Sequence, residues 1–181
     1  MTDKPTAAVK FGNVFRILIT HLHVWLATCC AVLVCTSPWI FIGRSLRKNA
    51  SFWDYLHVYL GLVCTVLALL FLLHNTFNGK WRSYFGWLVG DWAQLKQDIA
   101  GVIKGKFPVA GGKGLFSVVE GIGMLLLVAT GLTGVVWFVY QGTPIAMDWR
   151  GYHLICAQAF IGFLIVHIVL AATHIIEFIR Q

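Results

Sequence analysis

Charge is scarce in this chain. Of its 181 residues only 12% are Asp, Glu, Lys or Arg, and four stretches have none: Ile17–Gly43, Tyr55–Gly79, Gly121–Met147 and Gly151–Ile176. Each has at least 25 residues, enough to cross a bilayer as a tilted helix with interfacial ends. With 59% apolar residues and a mean hydropathy of +0.78, no separate soluble domain fits in what remains. Other absences narrow the chemistry. None of the five cysteines belongs to a C-x-x-C-H sequence, which excludes covalent c-type haem attachment; Cys29, Cys30, Cys35, Cys64 and Cys156 read as small buried hydrophobes. No carboxylate is expected to accompany the histidines inside the spans, which disfavours a zinc or di-metal site. The start, MTDKPTAAVK, has no cleavable signal pattern, so the first span is expected to direct insertion. There is no long repeat and no low-complexity tract.

What is present is a membrane protein. Spans are expected at about residues 17–43, 55–79, 115–140 and 151–176, giving an all-α fold: a four-helix up-down bundle, one domain over residues 1–181. Trp39, Trp53, Trp81, Trp137 and Trp149 lie near span ends, as an interfacial belt requires. The net charge of +7 invites a nucleic-acid partner, but the basic residues lie in loops, where topology and anionic headgroups explain them. Ten of the fourteen Lys and Arg fall in the N-terminal arm, the loop after span two and the tail. That bias predicts both termini in the cytoplasm of a bacterial inner membrane. Between spans two and three, Tyr84, Leu88, Trp92, Leu95, Ile99 and Val102 recur at three- and four-residue steps. The pattern predicts one amphipathic helix over Trp81–Ile103, lying on the cytoplasmic surface.

All seven histidines fall in the charge-free runs. Uncoordinated imidazole is costly in lipid, so this placement asks for a ligand, and imidazole is a common axial ligand of haem iron. His153 and His167 are fourteen residues apart, roughly 21 Å along a helix and nearly on one face. Depth pairs the rest. His57 follows Asp54 by three residues and His153 follows Arg150 by three, at the outer ends of spans two and four. They should clamp an outer haem. His167 needs an inner partner from span one, where His21 and His23 point about 200° apart. His23 is the better depth match, with His21 as the alternative. Two haems b follow, both six-coordinate. Singly, an intramembrane histidine can be only an interhelical hydrogen-bonder, and His74 and His174 read as interfacial. Gly61, Gly131 and Gly134 allow either close helix packing or room for a porphyrin edge. Arg16, Arg44, Arg47, Arg150 and Lys113 lie near span ends, where they can meet haem propionates or stay solvated.

These residues resemble the four-helix, di-haem cytochrome b subunits of bacterial respiratory complexes. The likeness is greatest to the gamma subunit of formate dehydrogenase, with the NiFe-hydrogenase and thiosulfate-reductase cytochromes b near it. It rests on His57 with Gly61, on LTGVVW (Leu132–Trp137), on the spacing of His153 and His167, and on the loop ending AGGKG. The resemblance implies a membrane anchor passing electrons between a peripheral iron–sulfur subunit of an oxidoreductase and the quinone pool, not catalytic alone. Two departures stand out: span one has His21-Leu-His23-Val-Trp25 where the family has His-Trp, and Val109 and Gly112 replace polar groups near quinone. The other reading is a stand-alone di-haem cytochrome that oxidises a small donor such as superoxide and reduces quinone. Candidate quinone-site residues are His174, which can relay protons, and Gly111 and Lys113 in the inner loop.

Overall fold

A computed structural model describes residue 17 and residues 19–77, 81–105 and 112–180; the side chains at 174, 176–178 and 180 lie outside that description. Every described element is helical. Four helices are long and apolar enough to cross a membrane: α1 (Leu22–Thr36, continued by a 3-10 turn at Ser37–Trp39), α2 (Phe52–Asn75), α5 (Leu115–Val139) and α6 (Ile145–Arg180). Two short helices, α3 (Trp81–Phe85) and α4 (Ala93–Ile103), lie between α2 and α5. Hydrocarbon offers backbone groups no partner, so each span satisfies them within its own helix.

The spans pack in sequence order, α1 on α2, α2 on α5 and α5 on α6. The bundle closes through a cluster in which Leu22, Leu26 and Cys30 of α1 meet Cys64 and Ala68 of α2, Val128 of α5 and Phe160 of α6. A smaller cluster, Val58, Trp137 and Ala146, fills the end opposite α3 and α4. The end carrying α3 and α4 is here the long-loop end, and the other the short-loop end.

Local chemistry sets the boundaries. Pro38 ends α1 because it cannot continue the ladder. At the start of α2, Ser51 Oγ accepts the Asp54 N–H while Asp54 Oδ2 accepts the Ser51 N–H, a reciprocal cap. Asp54 also takes the Phe41 N–H at 2.8 Å, pinning the preceding loop to α2. The start of α5 is capped from outside: Asp98 Oδ2 accepts the Leu115 N–H at 2.8 Å, and Gln94 Oε1 accepts the Lys113 N–H at 3.1 Å. A Cβ on Gly114 would run into the Asp98 carboxylate, so that approach requires glycine.

Two expectations change. The single helix expected over Trp81–Ile103 is broken: Gly86–Val89 form a 3-10 turn, and Gly90 adopts a left-handed φ of 83° that glycine takes without strain. After the break α4 turns Leu95 and Asp98 inward and leaves Trp92, Ile99, Val102 and Ile103 exposed. The second change concerns span three. Its helix begins at Leu115, as the span expected at about 115–140 has it, and the Asp98 cap from α4 meets it there. Glu120 is therefore inside the spanning helix. A carboxylate does accompany the histidines, contrary to the charge-free reading.

Candidate haem sites in the bundle

The histidines converge in two pairs. At the short-loop end, His57 of α2 and His153 of α6 face each other with ring centroids 6.2 Å apart and planes at 89°. Near the long-loop end, His23 of α1 and His167 of α6 stand 6.5 Å apart at 56°. An iron bonded to a nitrogen of each ring at about 2 Å holds the ring centres a little over about 6 Å apart. Both separations meet that requirement.

The first pair opens on an apolar cavity of about 280 Å³ whose walls include Cys30, Gly61, Thr130, Gly134 and Arg150. His153 Nδ1 lies 2.9 Å from the Thr130 carbonyl oxygen, so it carries the hydrogen and donates it. Thr133 Oγ1 stands farther off, at 3.4 Å. That bond leaves Nε2 with its lone pair available to a metal. His57 Nδ1 is buried without a hydrogen-bond partner, an orphaned polar atom in apolar surroundings. The three glycines divide their roles. A Cβ on Gly61 would meet nothing within 4 Å, so it leaves open room. A Cβ on Gly134 would press the His153 ring at 3.3 Å, and one on Gly131 would meet the Thr65 hydroxyl at 2.5 Å. Gly131 thus serves helix packing and Gly134 the histidine.

The cavity has a tied roof. Trp137 Nε1 donates to the Gly43 carbonyl at 3.1 Å, and Arg150 Nε to the Ile42 carbonyl at 2.7 Å. The Leu46 N–H donates to Gln141 Oε1 at 3.0 Å. Arg150 uses one of its five donors in this way and still lines the cavity.

At the second pair, Phe163 stacks on His167 at 5.4 Å and Phe71 stands 6.0 Å from His23. His23 is the span-one histidine whose ring meets His167; His21 sits at the helix start, with no ring contact to His167 among the described residues. Leu22 between them is 1% exposed and occupies the core. The remaining candidates are placed differently. Lys113 is in an exposed ion pair with Asp91 at 3.0 Å. His74 is exposed on the last turns of α2. Gly111 and the His174 side chain lie outside the described residues.

Two features escaped the sequence reading. One is Glu120, which lies within the span expected at about 115–140 although the spans were read as free of carboxylates. The other is the Cys30–Cys64 thiol pair, with sulfurs 3.9 Å apart across α1 and α2. No linear pattern joins those two positions.

A family model described as prokaryotic cytochrome b561 matches residues 14–178. The chain belongs to that family. No curated protein and no solved structure matches it. Membership makes this a b-type cytochrome, a multi-pass membrane protein that moves electrons on haem b. The expected likeness to membrane cytochromes b holds at that level.

Proposed function

We propose that this cytochrome holds two haems b, one at each end of the bundle, and carries electrons across the membrane between them. The observation that carries the reading is the double pairing, His57 with His153 and His23 with His167, each at a separation that admits an iron. Each haem, when bound, supplies a one-electron iron couple. The protein's part is to orient and to exclude water. His153 is held in one tautomer by the Thr130 carbonyl, the glycine at 61 leaves room for a flat ring, and Arg150 places a cation at the cavity wall for a propionate. Phe71 and Phe163 wall the second site.

By the same reading the chain anchors a larger oxidoreductase. A peripheral iron–sulfur subunit exchanges electrons at one face and quinone at the other, with both termini cytoplasmic as the charge bias favours. The apolar residues α4 leaves exposed, Trp92, Ile99, Val102 and Ile103, suit burial in headgroups at the cytoplasmic surface. A haem-to-protein ratio tests the first claim: two non-covalent haems per chain are expected, and one or fewer overturns it. Purification from mild detergent tests the second. Copurification of an iron–sulfur subunit is expected; recovery of a chain that alone oxidises superoxide and reduces quinone would replace the anchor with the small-donor reading.

A further inference from the structure

Glu120 is the feature that neither the spans nor the haem reading uses. An ionisable residue inside a span is expensive in hydrocarbon, and one without a structural partner points to function. No described residue gives its carboxylate an ion pair; Lys113–Asp91 is the ion pair the described residues form. Its level in the bundle follows from two contacts. Gly123 of α5 lies against the Phe163 ring of α6, so close that a Cβ would overlap it. One turn toward the long-loop end, α5 presents Glu120 and α6 presents His167, which stacks on Phe163. The carboxylate lies within electrostatic reach of both His23 and His167, yet forms an ion pair with neither.

α3 packs beside it at the long-loop end. A Cβ on Gly121 would meet the Tyr84 carbonyl oxygen at 2.5 Å, so α3 packs on α5 beside Glu120. The titratable groups that reach it are His23 from α1, His167 from α6 and Tyr84 from α3. Burial and, second, the nearby Glu120 charge push the Tyr84 phenol above its ordinary value. Glu120 is only part-buried. It is close to the long-loop face, fewer than two turns into α5.

We propose that Glu120 is the proton acceptor coupled to the electron at the His23–His167 site. This rests on the reading that those histidines hold a haem. When one electron enters the site, one proton from water at the long-loop face forms an O–H bond on the Glu120 carboxylate. When the electron leaves, that bond breaks and the proton returns. The charge arriving on the electron is neutralised at once, which spares an uncompensated negative charge in low dielectric. An electron acceptor that takes protons, such as quinone, then finds both at one end of the bundle.

The test is a spectroelectrochemical titration of the full chain across neutral pH, with Glu120→Gln and Glu120→Asp beside it and haem content measured first. One haem midpoint should fall with rising pH by up to about 59 mV per tenfold change in proton concentration, the limit for one proton per electron. In Glu120→Gln that slope should flatten and the midpoint should rise at alkaline pH. Glu120→Asp should restore the slope, and the other haem should not respond. A Gln variant with both haems and an unchanged slope overturns the proposal while leaving the two-haem reading intact. A wild-type chain lacking the His23–His167 haem overturns both. Where the Gln variant does not fold, the reduced-minus-oxidised infrared difference spectrum of wild type decides. A protonated carboxyl band appearing on reduction is expected, and its absence overturns the proposal.

Discussion

His153 donates its Nδ1 hydrogen to the Thr130 carbonyl across the α5–α6 interface, at 2.9 Å. The bond fixes the ring's tautomer and leaves the opposite nitrogen unprotonated, while the His57 ring stands 6.2 Å away at 89°. A ligand held this way is positioned before its metal arrives.

The first prediction concerns that pair. His57→Ala and His153→Ala should each remove one haem and keep the other, halving the haem-to-protein ratio. A pyridine haemochrome assay with a low-temperature spectrum reads this. Retention of both haems in either variant would break the pairing.

The second concerns span one. His23 meets His167 and His21 does not, with buried Leu22 locking the rotation of α1 between them. His23→Ala should lose the second haem and His21→Ala should keep it. The opposite outcome would require α1 to be turned by about half a circle.

The third separates packing from cofactor space. Gly131→Ala would drive a methyl into Thr65 and should lower stability by about 1–3 kcal/mol, as overpacking does, read as a lower thermal midpoint in detergent. Gly61→Ala meets open space and should keep stability, whereas Gly61→Leu should fill the cavity and cut haem occupancy beside His57. Equal behaviour of Gly61→Ala and Gly131→Ala would argue against the division.

The fourth concerns the roof. Asp54 Oδ2 accepts the Ser51 N–H in the capping box of α2, and its Oδ1 accepts the Phe41 N–H. Asp54→Ala should cost about 1–2 kcal/mol, the usual loss for a cap. It should also loosen the loop over the cavity, so that haem at the His57 site is lost faster to an apo-acceptor. An unchanged rate would mean the loop does not gate that site.

The fifth concerns the proposed exit to quinone. His174→Ala should keep both haems and slow their reoxidation by added quinone in stopped-flow measurements on the complete complex. An unchanged rate would move the exit away from the end of α6.

Spans and depths were legible in the sequence; rotations were not. Charge-free runs long enough to cross hydrocarbon become helices because no other backbone conformation satisfies itself there. Position along a helix axis is a count of residues, so His57 could be matched with His153, and His167 with span one, before any packing was known. Which way a residue faces was another matter. A soluble helix marks its inner face with apolar residues, but in a membrane both faces are apolar, since lipid is as apolar as leucine. Only packing of Leu22 and Leu26 against Phe160 decides that His23 turns inward. The span expected at about 115–140 already contained Glu120, but only the packing of α5 on α6 sets it beside the second histidine pair. The left-handed Gly90 breaks a helix whose periodicity ran on past it. In each case the decision rests on contacts between distant segments, which no local pattern records.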